Sequence, residues 1–158
     1  MKSLVSLRPL SPADVPKIFA MSQEAGLRRW LPDQVYRDEA HAAEVVARLA
    51  ALTAQPPDPG ARAYVLGIEL VETRALVGHV GLSPCRGSIE IGYAVDERMQ
   101  GRGIATAAVR AMADWALDEL GIPEVLGVVA DGNVGSCRVL EKAGFVNVSA
   151  GLYRRTAR

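Results

Sequence analysis

Residues 88–130 read SIEIGYAV, DERMQGRG, a helix-forming run from Ile104 to about Leu120, and then EVLGVVA. This order constrains the fold more than any other feature. Two strands joined through one helix lie parallel, because the crossover returns the chain to the same end of the sheet. The strands before it obey the opposite rule. AYVLGIELV (63–71), ALVGHVGLS (75–83) and SIEIGYAV (88–95) are separated by short turns, at Glu72-Thr73-Arg74 and at Pro84 and Gly87. Short turns predict an antiparallel meander. One sheet holding both arrangements is mixed and mostly antiparallel, with helices on its faces. That is an α/β fold, and 158 residues suffice for one such domain, 1–158, with one core.

The remaining segments fit this sheet. LVSLRPL reads as a first strand. Ser11 and Pro12 open a helix, as N-cap and first helical residue. It is expected to run to about Glu24, with Val15, Ile18, Phe19 and Ser22 on one face. GLRRWLPDQVY reads as an irregular connection. RDEAHAAEVVARLAALTA is a second helix that turns Val45, Leu49 and Leu52 inward. QPPDPGAR breaks the chain. The crossover helix carries Ile104, Ala108, Met112, Trp115 and Leu120 on its apolar face, and Gly121 and Pro123 end it. In NVGSCRVLEKAGF a last helix starts at its N-cap Asn133 and stops at Gly144, with Phe145 folding back. FVNVS and GLYRR are short terminal strands.

Composition narrows the function. The 18 basic and 18 acidic side chains cancel. Neutrality gives no electrostatic case for nucleic acid or an anionic membrane as partner. MKSLVSLRPLSPAD is too polar, and too soon broken by Pro9 and Pro12, for a signal peptide. No apolar run approaches membrane-spanning length. Cys85 and Cys137 lack metal-ligand spacing, and the two histidines lie far apart. The expectation is a cytoplasmic protein with reduced thiols and no metal. Monomer and homodimer both stay open.

Glycines before a helix are either an ordinary turn or a phosphate cradle. A cradle follows when unpaired N–H groups at the helix start meet an anion that no Cβ holds away. Two dinucleotide or nucleotide loops can be set aside. A P-loop ends in Gly-Lys-Ser/Thr, which is absent. In a Rossmann unit the third small residue is misplaced here, because position 106 is Thr and Ala105 comes one early. One short helix and two short strands after Asp131 also cannot complete that sheet.

The motif that fits is Gln/Arg-x-x-Gly-x-Gly/Ala, at Gln100 to Ala105. This resembles the acetyl-CoA loop of the GCN5-related N-acetyltransferase (GNAT) superfamily. NVGSCRVLEKAGF is similar to the family's Asn-x-x-Ser-x-x-x-x-Glu-Lys-x-Gly-Phe segment, and IEIGYAV to the strand before the loop. RRWLPD and the acidic, alanine-rich helix after it resemble the branch that acetylates ribosomal-protein N-termini. The resemblance covers the whole chain. It implies the GNAT fold, in which the parallel strands splay apart. It also implies acetyl transfer from acetyl-CoA to a primary amine, by direct attack in a ternary complex.

From the resemblance, backbone N–H groups of Gln100, Gly101, Arg102, Gly103, Ile104, Ala105 and Thr106 would hold the pyrophosphate. Arg102 either adds charge or is a solvated loop residue. Ala94 and Val95 would pair with the pantetheine arm, a nearby N–H acting as oxyanion donor. Glu90 is the candidate base and also meets the acceptor; a solvent-facing strand glutamate is the plain reading. Strand alternation sets Glu90, Gly92 and Ala94 opposite Ile89, Ile91 and Tyr93. Ser136 stands where many relatives carry a tyrosine that protonates the departing thiolate. Tyr93 and Tyr153 are possible substitutes. Asn133 would bond the arm or a water, besides capping the helix. Arg138 and Lys142 would meet the adenosine phosphates or form a solvated face. Trp30, Leu31 and Tyr36 would wall the acceptor site or cap the core. Cys137, beside Val134 and Leu140 on an apolar stripe, is no nucleophile, and His79 reads as a strand histidine. The acceptor is a protein α-amine or a small-molecule amine; polyamines, antibiotics and amino-acid analogues belong to the same branch. A silent acyl-CoA-binding module is the alternative from another class.

Overall fold

A computed structural model describes residues 3–158. Seven strands form one sheet in the order β1-β2-β3-β4-β5-β7-β6. They are β1 (Val5–Arg8), β2 (Tyr64–Leu70), β3 (Leu76–Cys85), β4 (Ser88–Val95), β5 (Glu124–Val128), β6 (Val146–Ser149) and β7 (Leu152–Thr156). The helices are α1 (Val15–Ser22), α2 (Ala25–Trp30), α3 (Glu39–Thr53), α4 (Ile104–Asp114) and α5 (Val134–Lys142). The β4–β5 pair is parallel and the other five pairs are antiparallel, as the crossover and the meander require.

The main core lies between one face of the sheet and the helices α4 and α5. Ile68, Val80, Leu82, Ile91, Val125 and Tyr153 meet Ile104, Ala108, Met112 and Leu140 there. On the opposite face Leu10, Ile18, Val46 and Leu76 make a second cluster under α1 and α3.

Several boundaries differ from the sequence reading. The first helix stops at Ser22, not Glu24, because Glu24 is extended and its carboxylate accepts the distant Glu97 N–H at 3.1 Å. The segment read as irregular holds α2, anchored by buried Leu27, and a 3-10 turn at Pro32–Gln34. The crossover helix is α-helical only to Asp114. Trp115–Glu119 is a π turn, in which Leu120 N–H reaches back to the Trp115 carbonyl. The widened turn lets half-buried Trp115 stack on Tyr64 of β2, rings 4.9 Å apart. In EVLGVVA, Val125 and Val129 are covered and Val128 is 47% exposed. Val134 likewise leaves the expected apolar stripe, at 58% exposure in the first turn of α5.

The entry to α1 is electrostatic. Asp14 accepts the Ser11 N–H at 2.8 Å and two bonds from the Arg8 guanidinium, at 2.8 and 2.9 Å. Burial pushes the Asp14 carboxyl up, but Arg8 and the Ser11 N–H outweigh it, and the net shift is downward. Asp96 behaves alike: burial raises it, and Lys17 with the Arg98 N–H lowers it further. A carboxyl lowered in the folded state contributes stability above its unfolded pKa, and loses it as pH falls through the folded value. Stability is therefore expected to decline below about pH 4. Asp14→Asn should be less stable than the parent at neutral pH and fall less steeply in acid, which urea melts at stepped pH will show.

Candidate active site

The parallel pair is bridged at Glu90 and Leu126, the one bridging pair of β4 and β5 among the described residues. Toward their C-terminal ends no further bridge joins the two strands among the described residues. The direction of the free groups follows from the ladder. Asp96 N–H donates to the Val77 carbonyl at 2.8 Å. In an antiparallel pair both main-chain groups of a residue face the same neighbour, and successive residues alternate. Gly92, Ala94 and Asp96 thus face β3, and Ile91, Tyr93 and Val95 face the opening. This corrects half of one expectation: Ala94 is spent on its ladder partner His79, whereas Val95 faces the gap. The Val95 carbonyl already accepts the Gln100 side-chain amide at 3.1 Å.

Two helix starts flank the opening. Gly101 and Gly103 have φ of +79° and +80°, the left-handed region that favours glycine. A Cβ built on either meets nothing within 4 Å, so the loop is an open cradle. Gly103 caps α4 with no side-chain hydrogen bond, and the first intrahelical bond is Ala107 N–H to the Gly103 carbonyl, at 3.0 Å. The N–H groups of Ile104, Ala105 and Thr106 precede it and are left for an anion. Ile104 is buried beneath, and Arg102 is exposed. Two contacts tie the segment before the cradle to α1 and its end: the Lys17–Asp96 ion pair and the Glu24–Glu97 bond.

The second start is α5. Asn133 Oδ1 accepts the Ser136 N–H at 3.2 Å, so the capping role is realised. The Ser136 hydroxyl lies 2.5 Å from the Tyr93 hydroxyl. Burial pushes the Tyr93 phenol up, so it keeps its proton at neutral pH. The two residues considered separately as proton donors are thus one unit. Alternation had already set Tyr93 on the face opposite Glu90; the contact with α5, 43 residues away, needed the fold.

On the other face, Glu90 shares a row with Gly92 and Ala94 and pairs with Ser83 on β3. The row near it is paved with small residues, and Gly92 is exposed. Cys85 stands beside Glu90; burial first, then that carboxylate, push its thiol up. The sequence reading missed this neighbour, which β3–β4 pairing would have revealed.

The two aromatic wall candidates separate. Trp30 stands by the opening, its ring 3.9 Å from where a Gly132 Cβ would be, with Arg29 over its face at 4.4 Å. Tyr36 lies beside α3. It packs edge-on to His41 and, with Gln34 and His79, lines a cavity of about 280 Å³ beside α3. Burial pushes His79 down to about 4, so it is neutral at pH 7. Arg138 is exposed and Lys142 lies at the far end of α5, away from the cradle. Among the described residues no cluster of His, Cys, Asp or Glu is placed to hold a metal, and no helix is long and apolar enough to cross a membrane.

Residues 5–146 match the family model described as the acetyltransferase (GNAT) domain. The chain belongs to the GNAT family. The probable N-acetyltransferase YjcK of Bacillus subtilis is 42% identical over 86 residues, 52% of this chain and 48% of that one. The match thus spans about half the length of this curated relative. A GNAT acetyltransferase from Bacillus anthracis superposes with a TM-score of 0.82 at 16% identity, covering 99% and 96% of the two chains. RimL, a ribosomal L7/L12 α-N-protein acetyltransferase solved with coenzyme A, gives 0.80 at 18%, covering 99% and 96%. Similarity at these identities speaks for the fold. The mostly antiparallel seven-stranded sheet with its one parallel pair matches that fold.

Proposed function

We propose that the protein transfers an acetyl group from acetyl-CoA to a primary amine, by direct attack with both substrates bound. The observation that carries this reading is the strand gap, with an open glycine cradle at one flank and Glu90 on the accessible face. The cradle's geometry suits a pyrophosphate: two glycines in left-handed conformation, no Cβ in the way, and three unpaired N–H groups. Gly101 to Thr106 would bind it, and the Val95 N–H would orient the thioester carbonyl. Acetyl-CoA, when bound, supplies an activated acyl group and a thiolate leaving group.

The chain's own residues then handle two protons. Glu90 takes the ammonium proton, directly or through water, so that the free amine can bond to the carbonyl carbon, and the nitrogen sheds its second proton to water as the amide forms. As the carbon–sulfur bond breaks, Ser136 gives its hydroxyl proton to the sulfur, Tyr93 reprotonates Ser136 across their 2.5 Å contact, and water returns a proton to Tyr93. A thiol has a pKa of about 8.5, so its thiolate leaves readily and the donor contributes modestly. Ser136→Ala is therefore expected to lower kcat by roughly 3- to 10-fold, the worth of one hydrogen bond. Stopped-flow or steady-state release of CoA measures it, with KM for acetyl-CoA unchanged.

Trp30 would wall the acceptor side, beside the turn before α5. The acceptor is an α-amine of a protein N-terminus or a small-molecule amine; the likeness in fold to RimL supports the first. The test is CoA release over a panel of N-terminal peptides, polyamines, aminoglycosides and amino acids. Tight acetyl-CoA binding with no turnover on any of them would leave the silent acyl-CoA-binding module as the better reading.

A further inference from the structure

We propose that the β6 edge of the sheet and the basic groove beside it form a docking site for an extended acidic peptide of a partner protein. β6 pairs with β7 on one side and ends the strand order on the other. All four of its residues are exposed, with Val146 at 66% and Val148 at 42%. Between this edge, the end of α5 and the middle of α4 lies a groove of about 630 Å³. Arg110, Lys142, Arg154, Arg155 and Arg158 line it, and Asp114 is the one carboxylate among the lining residues. In a chain with equal numbers of cations and anions, this is a local concentration of charge.

Structure uses part of that charge. Arg110 donates to the Lys142 carbonyl at the α5 terminus, and one nitrogen of Arg155 bonds Asp114. A second Arg155 nitrogen, Nη1, is buried with no hydrogen-bond partner among the described residues, while Arg154 and Arg158 are exposed. The groove begins at Arg110, about 9 Å along α4 from the glycine cradle, so it is separate from the proposed acetyl-CoA site.

Three occupants can be compared. A second copy paired edge to edge would bring two cationic clusters together, which disfavours it. A nucleic-acid strand would want aromatic stacking platforms, and no aromatic ring lines the groove. An extended acidic peptide matches both features. Its main chain pairs with the free edge of β6, and alternate side chains reach the cations and the two valines.

The test uses the full chain and a fluorescein-labelled peptide of alternating valine and glutamate, read by anisotropy. Saturable binding is expected, weakening about tenfold or more between about 50 and about 500 mM NaCl. The double variant Arg154→Glu/Arg158→Glu should weaken it at least about tenfold, with acetyl-CoA affinity and melting temperature unchanged, because both side chains are exposed. A peptide with proline at alternate positions, unable to pair, should not bind. Equal binding by the charge-reversed variant or by the proline peptide would overturn the proposal. So would tighter binding of an RNA oligonucleotide, or β6 edges paired in a homodimer.

Discussion

Gly103→Glu is expected to abolish acetyl-CoA binding while leaving the fold in place. Three effects act together at this position. The backbone stands at φ +80°, which costs a residue with a Cβ about 1–2 kcal/mol. The new carboxylate occupies the start of α4, where the unpaired N–H groups would otherwise meet the cofactor's phosphates. It also repels those phosphates, in place of an attraction worth up to ~2 kcal/mol. The strain falls on stability; the lost attraction and a repulsion of similar size together weaken binding by about 4 kcal/mol, or roughly a thousandfold. Stability should fall by only the strain, because a Cβ there meets nothing within 4 Å. Gly103→Ala separates the contributions, since it carries the strain without the charge; it should weaken binding far less. Calorimetric titration with acetyl-CoA and a thermal melt on each variant decide the matter. Affinity within threefold or so of the parent in Gly103→Glu would mean that the phosphates lie elsewhere.

The cradle was legible in the sequence because its conformation is local. Gly101, Gly103, Gly121 and Gly144 sit in the left-handed region for reasons contained in a few residues each. The same holds for Asn133 as the cap of α5, and for β4, whose observed limits are those read from SIEIGYAV. What stayed hidden was set at long range. α1 stops where Glu24 is drawn to Glu97, a bond across 73 residues. Trp30 and Tyr36 are six apart in sequence, yet one reaches Gly132 and the other the cavity beside α3. No local pattern distinguishes them, since each is an aromatic in the same connection. Ser136 was placed by motif, but its partner Tyr93 emerged only when β4 packed against α5. Alternation had told which face Tyr93 takes; it could not tell which helix residue lies above it.

Glu90→Gln should affect two acceptor classes very differently. A lysine-type amine, with a pKa of about 10.4, costs ~4–5 kcal/mol to neutralise at pH 7, and an α-amine near 7.8 costs ~1. A positioned base contributes about 10²- to 10⁴-fold where proton removal is demanding. At pH 7 the variant should therefore lose about a hundredfold or more in kcat/KM on a side-chain amine. On an N-terminal peptide the loss should be roughly tenfold. The sign with pH follows. At about pH 9 most of the α-amine is already neutral, so the deficit on the peptide should close, while that on the side-chain amine persists. Gln keeps the size of Glu and the Leu126 bridge is main chain, so the strand gap should survive the change. A variant equal to the parent at pH 7 on both acceptors would remove Glu90 from the chemistry and leave it a cleft-facing strand residue. A deficit on the peptide that stays constant to pH 9 would instead assign Glu90 to holding the acceptor, because binding by its carboxylate does not depend on whether the free amine has lost its proton beforehand.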